Sequence, residues 1–149
     1  MNYCNIVWAS TFKNSLKLLV KSQKKALKIA LNLPYLTPSI EVFQLAKVQS
    51  VFEINQIHML IFMYKFINNL LPSSFDGYIL QNQNVVYNLR NIQQYILPFP
   101  RIIRFKFSVL YKAPYEWNLL TENIRNSSSL SIFKITVKNH IMSQIERII

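Results

Sequence analysis

The sequence predicts a mainly α protein: a small helical bundle followed by an α-rich extension with minor β. Three observations predict it. Apolar residues recur at helical spacing along three long stretches, 10–32, 51–70 and 130–148. Prolines at 34, 38 and 72 stand between those stretches rather than inside them. One short run at 104–109 alternates in the manner of a strand.

A short apolar segment at 5–9 comes first, and Ser10 or Thr11 can cap the helix after it. That helix, over 10–32, carries Lys13, Lys17, Lys21, Lys24, Lys25 and Lys28. At about 100° per residue the six fall within an arc of roughly 120°. Phe12, Leu16, Leu19, Leu27 and Ala30 lie on the other side. No acidic residue precedes Glu41, so nothing in the segment neutralises the lysines. Exposed helices usually mix signs at i,i+4. A helix with one buried stripe and one uncompensated positive stripe suits a place between a protein core and a polyanion. The plainer alternative is a solvated lysine face.

The helix must stop before Pro34, because the residue before a proline is pushed out of the α region. Pro34 and Pro38 bracket a turn. Ser39 can cap a short helix in which Glu41 suits the dipole and Val42, Phe43 and Leu45 form an apolar side. The helix at 51–70 is apolar around most of its circumference, with a narrow polar wedge of His58, Lys65, Asn68 and Asn69. That pattern predicts the buried centre of a bundle. Pro72, Ser73 and Ser74 end it.

From 75 to 100 the chain is rich in Asn, Gln and Tyr and holds its only glycine, Gly77. Leu97, Pro98, Phe99 and Pro100 read as extended chain. The alternation at 104–109 predicts a short strand, and Pro114 opens a short helix through Trp117 and Leu120. Trp117 should anchor that turn on the core, with Asn118 capping or bonding to nearby backbone. Ser127 to Ser129 form a linker and cap. The last helix places Leu130, Phe133, Val137, Ile141, Ile145 and Ile148 at near-helical spacing. Its many β-branched residues leave its stability to packing.

At 149 residues the chain suits one domain or two small ones, and 51% hydrophobic content excludes a disordered class. A net charge of +11 and a pI near 9.9 point to nucleic acid or an anionic surface. The single cysteine, Cys4, excludes an internal disulfide, suits a reducing compartment and reads as a buried structural thiol. No transmembrane segment is predicted, since the most apolar stretch, 57–71, is short and carries Lys65, Asn68 and Asn69. The first residues lack the apolar run and cleavage site of a secretory signal. An acid-free amphipathic start is shared with mitochondrial transit peptides, but those favour arginine, and every cation here before residue 90 is lysine.

The chemical inventory is short. Asp76 is the only aspartate, and Glu41, Glu53, Glu116, Glu122 and Glu146 are scattered singly. Two-metal phosphoryl chemistry needs clustered carboxylates. Cys4, His58 and His140 have no zinc-type spacing, and a lone histidine on an apolar helix reads as a packed residue. Neither histidine nor Asp76 lies in a nucleophile motif. Independent catalysis is therefore not expected. Tyr87, Arg90, Tyr95, Arg101, Arg104, Phe105, Lys106 and Phe107 interleave cations with flat rings, which suits backbone contact with base stacking. The simpler alternative, favoured by the strand-like spacing, has rings packed inward and arginines facing water. Arg90, Arg101 and Arg104 join the six lysines as candidate nucleic-acid contacts.

The order of landmarks resembles the carboxy-terminal part of reverse transcriptases from jockey-like non-LTR retrotransposons. The residues are Tyr3-Cys4-Asn5-Ile6-Val7-Trp8-Ala9-Ser10 and Leu19-Val20-Lys21-Ser22-Gln23-Lys24-Lys25-Ala26-Leu27, then Phe62-Met63-Tyr64-Lys65 and Asn69-Leu70-Leu71-Pro72. Tyr87-Asn88-Leu89-Arg90, Leu97-Pro98-Phe99, Pro114-Tyr115-Glu116-Trp117-Asn118 and Phe133-Lys134 complete the series. The resemblance implies a thumb-like helical subdomain at 1–74 that grips a template–primer. It implies a carboxy-terminal extension at 75–149 with short strands and a terminal helix.

The family's catalytic aspartates lie upstream in a palm that this chain lacks. No cofactor is therefore expected here, and Mg²⁺ would belong to that palm. The implied partners are RNA or DNA template–primer and the palm itself, inside the cell, in nucleus or cytoplasm. Ala113 stands where the family often has glycine before the proline, and Leu120-Thr121 where Leu-Pro is usual. Both suit a truncated or decayed copy, or a gene model covering the end of one. A glycine lost from a positive-φ turn would cost on the order of 1 kcal/mol. Two alternatives stand beside this reading: a stand-alone basic helical module for nucleic acid or an anionic surface, and a relic without function.

Overall fold

A computed structural model describes residues 3–80 and 95–146. Among these the chain forms seven α-helices: α1 (Asn5–Trp8), α2 (Lys13–Ala30), α3 (Ser39–Ala46), α4 (Val51–Ile67), α5 (Val109–Asn118), α6 (Glu122–Arg125) and α7 (Leu130–Glu146). Two short 3₁₀ segments, Ser73–Phe75 and Ile103–Phe107, accompany them. The protein is mainly helical, as its periodicity implies. Packing divides it into two units, Met1–Asn55 and Gln56–Ile149, with the division inside α4. The division at 74/75 follows composition, whereas this one follows contacts.

In the first unit α2 turns Leu16 inward with Leu19 and Val20 beside it, against Ala9 and Val51. Ser10 does not cap α2. Its Oγ donates to the Ile6 carbonyl (2.8 Å) and accepts from Asn55 Nδ2 (3.2 Å). The same Asn55 amide donates to the Asn5 carbonyl at 3.1 Å. With Ser10 occupied, α2 starts later than expected, after an extended Phe12 that provides no side-chain cap. Phe12 and Ala30 are exposed instead of facing the core, because the buried arc of α2 centres on Leu16. Cys4 is exposed rather than buried. It precedes α1 in a left-handed conformation (φ 47°) on the surface.

α3 begins one residue past Pro38, so Ser39 is its first residue rather than its cap. Val42 is buried but Leu45 is exposed, which narrows the expected apolar side. A capping box opens α4. Ser50 N–H donates to Glu53 Oε2 (3.1 Å), and Glu53 N–H points back to Ser50 Oγ (3.5 Å). Three helices close in the Schellman manner on a non-glycine left-handed residue: Asn32 (φ 51°), Lys47 (φ 51°) and Asn69 (φ 54°). The next N–H in each case reaches back five residues: Leu33 to Lys28, Val48 to Phe43, Leu70 to Lys65. The last of these ends α4 at Ile67, short of residue 70.

The second unit is built on an aromatic row. Tyr64 of α4 stacks on Phe133 of α7 at 4.5 Å, and Phe133 meets Trp117 of α5 at 5.6 Å. Met59, Leu60, Met63, Ala113, Leu120, Ile124, Val137 and Ile141 complete a buried core, and Tyr64 Oη donates to the Ser127 carbonyl (3.0 Å). Ile145 and Ile148, expected on the same face of the last helix, lie outside the residues whose side chains are described. Asn118 makes a two-way pair with Tyr95. Tyr95 N–H donates to Asn118 Oδ1 (3.2 Å), and Asn118 Nδ2 donates to the Tyr95 carbonyl (2.9 Å).

The strand expected at 104–109 is absent. Residues Ile103–Phe107 form a 3₁₀ segment, and α5 follows from Val109 after Ser108. A six-residue alternation carries no information about a pairing partner, and among the described residues none lies alongside. Pro114 falls inside α5 instead of opening it. The helix starts upstream at Val109, where Lys112 N–H bonds to the Ser108 carbonyl (2.9 Å). Ala113 is fully buried within α5 and has no positive φ. The expected penalty for a lost glycine therefore does not arise: in a helix, alanine is the better residue.

Candidate functional site

The lysine stripe of α2 and the turn after it enclose an open groove of ≈ 970 Å³ in the first unit. Lys21, Lys24, Lys25 and Lys28 line one wall; Tyr35, Leu36 and Thr37 lie on the other. The turn is held by Thr37, whose N–H (3.1 Å) and Oγ1 (2.8 Å) both donate to the Pro34 carbonyl. Proline on either side restricts the backbone further. Tyr35 and Leu36 project from it, 88% and 89% exposed. Lys28 ties the two walls together. Its Nζ donates to the Tyr35 carbonyl and lies over the Tyr35 ring, 5.5 Å from the centroid. Desolvation, with the Lys24 charge adding to it, pushes the Lys28 ammonium below its ordinary pKa.

The groove is electropositive because its lining carries no opposing charge. The first unit holds seven lysines against two glutamates. Glu53 is engaged with Ser50, and Glu41 sits in the first turn of α3. Neither carboxylate is among the residues lining the groove. Lys13 and Lys17 are exposed and continue the stripe along α2 outside the groove. The structure thus brings four of the six predicted lysines together around one concavity.

Arg101 and Arg104 are exposed in the second unit, beside Lys106. The rings among them pack on one another: Phe105 meets Tyr111 edge-on at 6.4 Å, and Tyr111 stacks with Tyr115 at 6.2 Å. Arg90 and Tyr87 lie outside the described residues. Tyr35 and Leu36 escaped the sequence reading. The available signal was an aromatic and an aliphatic residue held between two prolines, directly after a basic helix.

Other chemistry is sparse. Among the described residues no group of three or more His, Cys, Asp or Glu converges to hold a metal ion. Burial on α4 pushes the His58 imidazole below its ordinary pKa, as for a packed side chain. Gln56 donates to Glu116 Oε2 at 2.8 Å. No helix among the described residues is long and apolar enough to cross a membrane. The groove presents flexible ammonium donors beside apolar surface, a combination whose chemistry suits an anion. No family model, curated protein or solved structure gives a significant match to this chain.

Proposed function

We propose that the chain is a nucleic-acid-binding accessory segment of an RNA-directed DNA polymerase of the jockey-like non-LTR type. The observation that carries the binding reading is the uncompensated lysine stripe of α2, four of whose members line a groove with no carboxylate. The polymerase assignment rests on the order of sequence motifs. In this reading the segment holds template–primer for the polymerase palm, and Mg²⁺ chemistry belongs to that palm. The chain alone is expected not to extend a primer.

Lysine is a point charge on a flexible stem and offers no fork for base edges. Binding should therefore tolerate any sequence and depend steeply on salt. Neutralising three or four phosphates gives a log–log slope of about −3 to −4 on duplex. Lys21→Glu with Lys24→Glu should weaken every sequence alike and flatten the slope by about one unit or more per lost contact. A folded parent that binds neither RNA nor DNA at low salt refutes the proposal, as does a double variant with the parent's slope.

One observation favours a second reading, an anionic lipid surface. Leu18 and Ile29 are 75% and 71% exposed beside the lysines, and Tyr35 and Leu36 project nearby. Apolar side chains among cations are what an interfacial helix needs. Strong binding to phosphatidylserine vesicles with no preference for nucleic acid would decide for it.

A further inference from the structure

We propose that the groove beside α2 takes an unpaired stretch of RNA or DNA, stacking a base on Tyr35 and holding its phosphates with Lys21, Lys24 and Lys25. This inference rests on the nucleic-acid reading above and specifies the form of nucleic acid the site takes. Phosphate contact along a duplex needs only a row of cations. It does not call for a concavity or for an exposed ring, because duplex bases are already stacked on each other. Here both are present. The groove, at ≈ 970 Å³, lies at the upper end of the range that holds drug-sized ligands and far exceeds the needs of one phosphate.

The turn that carries the ring is also tied down. Tyr35 is 88% exposed, yet its backbone carbonyl is held by Lys28 and its turn is closed by Thr37 on Pro34. A ring displayed to solvent on a tied turn loses little freedom when a base stacks on it. Lys28 lies over the ring, so the aromatic surface and the cationic wall meet at one point. Alternating phosphate and base of a single strand match that adjacency, since every base has a π-face for the ring and every linkage a charge for the lysines. Lys28 is already committed to Tyr35, which leaves Lys21, Lys24 and Lys25 as the phosphate contacts. Its contacts with the Tyr35 carbonyl and ring make Lys28 a positioning residue.

The test uses the full chain, a labelled oligouridylate, a blunt RNA duplex of the same length and phosphatidylserine vesicles. Tyr35→Ala is expected to weaken the single strand roughly 5- to 150-fold while moving duplex affinity less than about twofold. Tyr35→Phe should behave as the parent, and Tyr35→Leu, which keeps apolar bulk without the π-face, should behave as Tyr35→Ala. Lys21→Glu with Lys24→Glu should weaken both nucleic acids. If the parent binds with the expected salt slope but Tyr35→Ala and Tyr35→Leu spare the single strand, or weaken both forms equally, stacking is wrong and the lysine face still stands. If the parent binds neither nucleic acid, or prefers the vesicles, both readings fall.

Discussion

Trp117→Ala should remove a large part of the second unit's stability. The indole is 2% exposed and lies 5.6 Å from the Phe133 ring, which stacks in turn on Tyr64. A tryptophan of this kind buries about 150–250 Å², worth about 4–6 kcal/mol at 25 cal/mol per Å². An aromatic pair adds about 0.5–1.5 kcal/mol, while the retained alanine methyl and partial collapse subtract, so about 3–5 kcal/mol is lost. A unit of this length is stable by about 5–14 kcal/mol at the usual per-residue values. Urea melts followed by far-ultraviolet circular dichroism measure the change. Trp8, in the first unit, remains as a separate fluorescent reporter. Trp117→Phe, which keeps a ring against Phe133, should cost less than half as much. If Trp117→Ala melts within about 1 kcal/mol of the parent, the aromatic row does not hold the core and the reasoning fails.

Lys47→Gly should stabilise the chain by about 0.5–1 kcal/mol, because Lys47 closes α3 at φ 51°, where a side chain is strained. A lower midpoint in urea would contradict the Schellman closure. His58 makes stability depend on pH. Its folded pKa lies below the unfolded value of about 6.5, so the unfolded chain binds more protons between the two. The His58 contribution is complete above about pH 6.5, declines as pH falls toward the lowered folded value and is constant below it. His58→Gln should flatten that part of the stability–pH profile, and an unchanged profile would place the dependence elsewhere.

The sequence carried the helices because their signal is local. Leu16 and Leu19 on α2, or Phe133, Val137 and Ile141 on α7, repeat at a spacing that only a helix puts on one side. Trp117 and Asn118 were legible by residue type: a large ring to bury and a short amide to meet backbone. Boundaries were less so, because side chains chose between competing local bonds. Ser10 could cap α2, but Asn55, far along the chain, claims its hydroxyl. The Ser50–Glu53 box was readable as Ser-x-x-Glu yet passed unread. The alternation at 104–109 misled because Phe105 finds its partner in Tyr111, on the helix that follows, rather than across a sheet. The groove was only half visible. Periodicity placed the lysines on one side, but the bond from Lys28 to the Tyr35 carbonyl depends on how the turn folds back.

The lysine stripe has a thermodynamic signature that separates it from ordinary surface charge. The core side of α2 requires Leu16, Leu19 and Val20, and nothing in the packing requires lysine opposite them. Lys13–Lys17, Lys17–Lys21, Lys21–Lys25 and Lys24–Lys28 are like charges at i,i+4, and Lys21–Lys24 and Lys25–Lys28 at i,i+3. Each such pair destabilises a helix by about 0.2–0.5 kcal/mol at low salt, so the stripe costs about 1–3 kcal/mol. Lys21→Glu with Lys24→Glu turns three of these six repulsions into attractions: the carboxylate at position 21 then faces Lys17 and Lys25, and the one at position 24 faces Lys28, while positions 21 and 24 remain alike in sign. The variant that binds nucleic acid less well should therefore melt at a higher denaturant concentration than the parent. Raising salt should narrow the gap between them, since Lys17, Lys21 and Lys25 are exposed and their charges are screened. A binding defect accompanied by lower stability would mean that α2 had unfolded. The same defect accompanied by higher stability locates the loss in the charge itself, which is the pattern of a surface held for a ligand at some expense to the fold.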